Sequence, residues 1–130
     1  MLSSQGILIY SCQPHRLVVE IDPEIPKFYR SLLPKHISIR IPLHKPHISV
    51  VRKEIPPNEL VWNKYQNEII TFEYDPYIHF SQTYCWLKCY SQRLEDIRVE
   101  LGLPAHRSGV TRPPDEQPCF HTTIGNFKQV

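Results

Sequence analysis

Pro118-Cys119-Phe120-His121-Thr122-Thr123-Ile124-Gly125-Asn126 is read most simply as one strand. Side chains of an extended chain alternate between faces, so His121 and Thr123 project to one side while Phe120, Thr122 and Ile124 project to the other. An imidazole that titrates near neutral pH is thereby set beside a hydroxyl, over an apolar opposite face. Upstream, Lys45-Pro46-His47-Ile48-Ser49-Val50-Val51 repeats the arrangement, with His47 and Ser49 on one face and Ile48 and Val50 on the other. A lone histidine in a strand is usually a scaffold residue; one device built twice, once in each half of the chain, points to chemistry.

The segments around the two copies follow one order. Gly6 to Cys12 and Arg16 to Ile21 are β-rich runs joined through Gln13-Pro14-His15. Asp22 and Pro23 open a helix whose apolar stripe is Ile25, Phe28, Tyr29 and Leu32, and Pro34 ends it. His36 to Ile41 alternates as a strand, the first motif strand runs on to about Lys53, and Asn58 to Gln66 reads as a short helix carrying Leu60, Val61 and Trp62.

In the second half, Glu68 to Tyr74, Tyr77 to Phe80 and Thr83 to Cys89 read as strands. Ser91 caps a helix with Leu94, Ile97 and Leu101 inward and Gly102 as its stop. The stretch from Ala105 to Gln117 lacks periodicity and is expected to be a mobile loop at the mouth of the site. Strand, helix and motif strand recur, so an α+β fold is expected: two-lobed, with pseudo-duplicated antiparallel sheets around a central cleft and helices packed outside. A single domain spans 1–130, with one lobe at about 1–55 and the other at about 67–130.

The two motifs, His47-Ile48-Ser49-Val50 and His121-Thr122-Thr123-Ile124, resemble those of the 2H phosphoesterase superfamily, the LigT-like and cyclic-nucleotide phosphodiesterase-like enzymes. That family is named for two His-x-[Ser/Thr]-x motifs, and the order of strands and helices around each one also fits. The first motif carries Ser49 in place of the commoner Thr, and the chain is shorter than many relatives. The resemblance implies a metal-independent phosphodiesterase without a cofactor, with His47 and His121 catalytic and Ser49 and Thr123 binding phosphate. Its substrate would be a nucleotide, either a 2′,3′-cyclic phosphate at an RNA 3′ end or a cyclic mono-, di- or oligonucleotide signal. Small 2H proteins of viruses remove such signals of host defence.

The residue chemistry agrees with that implication. Cleaving a phosphodiester needs one proton taken from the nucleophile and another given to the leaving oxygen, and two imidazoles with ordinary pKa values of about 6.5 do both near neutrality. Which histidine is the base is left open at this stage. Hydroxyls two residues beyond each histidine share its face and can donate to non-bridging oxygens, where charge builds up. Tyr84, Trp86 and Lys88 share one side of their strand and are candidates for stacking on a base and contacting phosphate. Lys45, Arg52, Arg107 and Arg112 are further candidate contacts.

Composition narrows the rest. With 130 residues and a net charge of +2 the chain has no broad basic surface for duplex DNA. No run approaches the length of a membrane span and no signal segment stands at the N-terminus, so a soluble, cytoplasmic monomer is expected. The 4 cysteines show no zinc spacing and are expected to be small buried thiols in a reducing compartment. His15, His36, His44, His79 and His106 form no metal motif. Two other readings stay open: a module that binds cyclic nucleotides or RNA ends without turnover, and an RNA 2′-5′ ligase running the reverse reaction.

Overall fold

An alternating strand buries only one face, and its edges still need partners. In the computed structural model, which describes residues 1–107 and 116–127, the chain meets both needs by closing its sheet. The elements run β1 (Leu2–Ser11), β2 (Arg16–Ile21), α1 (Glu24–Ser31), β3 (Ile39–Arg40), β4 (His47–Arg52), β5 (Ile69–Tyr74), β6 (His79–Phe80), β7 (Tyr84–Tyr90), α2 (Gln92–Glu100) and β8 (Phe120–Phe127). The strand order is β3-β8-β4-β2-β1-β5-β7-β6, and a further pairing of β8 with β7 closes the ring β8-β4-β2-β1-β5-β7 into an antiparallel barrel.

The protein is thus α+β and antiparallel, but its sheets are not separate. β1 and β5, the first strands of the two halves, pair from Leu2 opposite Tyr74 to Ile7 opposite Ile69 and fuse the halves along that seam. Each would otherwise present an unpaired edge. The connectivity has an internal exchange symmetry. Exchanging β1 with β5, β2 with β7, α1 with α2 and β4 with β8 leaves the ring order unchanged.

Leu8, Leu17, Val19, Ile48, Ile70, Phe72, Leu87 and Ile124 pool their buried side chains with Leu94, Ile97 and Leu101 of α2 in one core. The Ser91 hydroxyl accepts from the Leu94 amide at 3.2 Å, and Gly102 stops the helix with φ +85°. At α1 the Asp22 carboxylate accepts from the Glu24 amide at 2.9 Å.

Four expectations need correction. The inward face of α1 is Pro26 and Tyr29, with Ile25 and Leu33 at its margin, while Phe28 and Leu32 are exposed. The strand expected over His36–Ile41 shrinks to the two residues of β3, which pair with Phe127 and Asn126 of β8, while the Ile37 amide closes a turn onto the Pro34 carbonyl at 3.0 Å. The helix expected over Asn58–Gln66 is a single 3₁₀ turn, Glu59–Val61; Asn63 and Asn67 take positive φ and end any helix there. Cys85 and Cys89 are buried free thiols, but Cys12 is exposed and Cys119 half-buried. No helix among the described residues is long and apolar enough to cross a membrane.

Candidate functional site

The two motif strands are neighbours. β4 and β8 pair through Ile48 and Thr122, and in an antiparallel ladder the residues flanking such a pair face each other on the opposite side of the sheet. Ser49 is thereby set beside His121 and His47 beside Thr123, all four half-buried on the face away from the core. Each imidazole has the other motif's hydroxyl residue as its cross-strand neighbour. The Thr122 hydroxyl, on the buried face, donates to the His47 carbonyl at 2.8 Å and ties the second motif to the backbone of the first.

Beyond this contact both strands are bulged at the fourth residue of the motif. Leu17 pairs with Val51 but Val18 with Ser49, which leaves Val50 as an extra residue. Cys85 pairs with Gly125 but Trp86 with Thr123, which leaves Ile124 as another. A bulged residue loses its place in the ladder and bends its strand. Each extra carbonyl is taken up by an arginine from the last turn of the opposite half's helix. Arg98 of α2 donates to Val50 O at 2.7 Å, and Arg30 of α1 donates to Ile124 O at 2.8 Å. Arg98, only 1% exposed, also grips both oxygens of Glu54 at 2.8 and 2.9 Å and donates to Pro104 O at 2.8 Å. The motif strands are therefore braced crosswise by the helices.

A cleft of about 680 Å³ opens on the polar face. Ser49 and Arg52 line it from β4, and His121 and Thr123 from β8. Tyr84, Trp86 and Lys88 form the β7 wall, as their shared face requires, and Arg107 also lines the cleft. Trp86 stacks on His79 with centroids 5.9 Å apart and leans on His121 at 5.5 Å. The Trp86 indole N–H is buried and has no acceptor among the described residues. Lys88 is paired with Glu116, which raises its pKa, and so is not spare charge.

Glu116, Cys119 and His106 also line the cleft, and His106 Nε2 lies 2.9 Å from Glu95. Residues 108–115 of the expected mobile loop, and with them Arg112, lie outside the described residues. Lys45 is exposed, with its ammonium 3.9 Å from Glu20.

Equivalent positions of the two halves carry different residues. Glu20 and Val18 of β2 face His47 and Ser49, where Lys88 and Trp86 of β7 face His121 and Thr123. The second half thus supplies an aromatic, cationic wall that the first half lacks. His47 does not line the cleft. Its Nδ1 lies 2.7 Å from the Lys45 carbonyl and its Nε2 lies 3.3 Å from Arg16 Nη2. Burial holds the His47 pKa below the ordinary imidazole value; the bond to the Lys45 carbonyl works against this, and Arg16, His44 and Arg52 add to it. His121 is likewise held low, chiefly by burial and then by Lys88 and His79, with Glu116 opposing.

Sequence reasoning did not find Arg16, Arg30, Thr122 or Arg98. Only Arg98 left a signal: it falls on the inward stripe of α2 with Leu94, Ile97 and Leu101, where an arginine needs a partner. Among the described residues no group of three or more His, Cys, Asp or Glu side chains is placed to hold a metal ion. Comparison with protein-family models, with curated proteins and with solved structures finds no match.

Proposed function

We propose that this protein is a metal-independent phosphodiesterase acting on a nucleotide through His47 and His121, built as a two-lobed 2H phosphoesterase whose lobes have fused along β1 and β5. The observation that carries the reading is the register at Ile48 and Thr122, which gathers both imidazoles and both hydroxyls on one polar face. The exchange symmetry of the ring supports it.

In the proposed reaction His47 is the base. The Lys45 carbonyl can only accept, so the hydrogen of the neutral ring sits on Nδ1 and the lone pair on Nε2. His47 takes a proton from the attacking water or hydroxyl, the phosphorus bond to the leaving oxygen breaks, and His121 gives that oxygen its proton. Burial and the nearby Lys88 cation hold that proton loosely, which favours donation, and a bound phosphate anion offsets them before transfer. Ser49 and Thr123 donate to the non-bridging oxygens. Tyr84 and Trp86 offer a stacking wall for a base. Substrates that match these parts are RNA 2′,3′-cyclic phosphate ends and cyclic nucleotides.

The test is turnover with EDTA present of 2′,3′-cyclic mononucleotides, RNA ending in a 2′,3′-cyclic phosphate, and cyclic di- and trinucleotides. Cleavage of one group, abolished by His47→Ala and by His121→Ala, is the expected result. Tight binding of one member without turnover of any would leave a nucleotide receptor instead.

A further inference from the structure

The nitrogen that the base needs is already engaged. Arg16 can only donate, so its Nη2 hydrogen points at the Nε2 lone pair of His47 across 3.3 Å. With Nδ1 bonded to the Lys45 carbonyl at 2.7 Å, neither ring nitrogen is left for a substrate. Arg16 begins β2 opposite Arg52, whereas His47 pairs with Glu20 at the other end of that strand. To reach the imidazole the Arg16 side chain must lie along the polar face past Val18 and its partner Ser49, across the ground where a phosphoryl group would sit. Val18 on that path is small and only 6% exposed, as a side chain lying over it requires.

On the reading of this face as a phosphodiesterase site, we propose that Arg16 is a substrate-responsive positioning residue. In the free protein its guanidinium caps His47 Nε2; when a phosphoryl group arrives it passes to a non-bridging oxygen and frees Nε2 for the nucleophile. The exchange runs downhill, because a guanidinium bonds an anionic phosphate more strongly than a neutral imidazole and fits it with two parallel donors. It also couples activation of the base to occupancy. Until a phosphate is present, the same cation that will bind it blocks the base and opposes its protonation.

Nuclear magnetic resonance of the histidine ring nitrogens tests this without any turnover. The titratable and charged groups around His47 are Arg16 and Glu20 from β2, His44 and Lys45 from the preceding turn and Arg52 from β4, with His121 of β8 diagonally across on the same face; all but Arg16 are kept. In phosphate-free protein, Arg16→Gln is expected to raise the His47 titration midpoint, and Arg16→Lys, which keeps the charge, to restore most of the lowering. Inorganic phosphate is the probe. As it saturates the wild type, the His47 midpoints of wild type and Arg16→Gln are expected to converge, and phosphate binds Arg16→Gln about tenfold more weakly, the worth of one charge-assisted hydrogen bond. An unchanged midpoint in folded Arg16→Gln, or a difference that phosphate leaves intact, overturns the proposal. If the midpoints behave as expected while the wild type turns over no member of the substrate panel, the phosphodiesterase reading fails and the anion-driven exchange of Arg16 stands. Turnover with a phosphate-insensitive His47 has the opposite meaning.

Discussion

Replacing Arg98 with methionine keeps a long apolar stem and removes every donor. The guanidinium is 1% exposed and makes four hydrogen bonds, two to Glu54 and one each to the Val50 and Pro104 carbonyls. Its loss leaves a carboxylate that is 18% exposed without its cation, and the carbonyl of a bulged residue without a donor. Removing one member of a buried ion pair costs about 3–5 kcal/mol, and an unsatisfied buried carbonyl about 1–3 kcal/mol. These overlap, since Glu54 can turn toward water, so a net loss of about 4 kcal/mol is expected. For a chain of 130 residues with an unfolding entropy of about 2.1 cal/mol/K per residue, that is a fall in Tm of roughly 15 °C.

Urea and thermal unfolding followed by circular dichroism measure it, and a second background, Glu54→Gln, closes a double-mutant cycle. Burial pushes the Glu54 carboxyl up, but the Arg98 bonds and charge outweigh it and the net shift is downward. The pair therefore stabilises fully above the ordinary carboxyl range, and its contribution disappears as pH falls through the depressed folded value. Arg98→Met should lose that part of the pH dependence. A loss under about 1 kcal/mol, or no coupling to Glu54, would refute the clamp.

Gly6 lies in β1 where an added Cβ would meet the Glu20 carbonyl oxygen and Val19 Cγ1, each at 2.5 Å. Gly6→Ala should cost roughly 2 kcal/mol in chemical denaturation, and Gly125→Ala less, since its closest neighbour is the Ile39 side chain, which can turn. Thr122→Val removes the side-chain donor to the His47 carbonyl seen among the described residues; a loss of about 1–2 kcal/mol, with slower turnover of any substrate and an unchanged core, is expected from unfolding and rate measurements. Because the pKa values of His47 and His121 are both held below about 6.5, both rings are mostly neutral at pH 7. The kcat/KM of the proposed phosphodiesterase activity should therefore rise as pH falls through the higher of the two values and drop again below the lower one. A maximum above pH 7 in the pH-rate profile would contradict the assignment.

The sequence by itself determined the place of the long strands, the face on which each motif residue stands, the cap and stop of α2, and the repetition of one device in two halves. These follow from alternation, spacing and capping, all contained within a few neighbouring residues. Tyr84, Trp86 and Lys88 could be placed on one face for that reason, and they form one wall. Tertiary structure alone decided that β1 and β5 fuse the halves, that Val50 and Ile124 leave the ladder, and that α1 brace-binds β8 while α2 brace-binds β4. It also decided that His36 to Ile41 keeps only two residues of strand, and that Arg16 reaches His47 from the far end of β2. Each of these depends on which edge or carbonyl a distant segment leaves unpartnered. Local periodicity is blind to that, because strand pairing and buried hydrogen bonding are settled between segments that meet only once the sheet has closed.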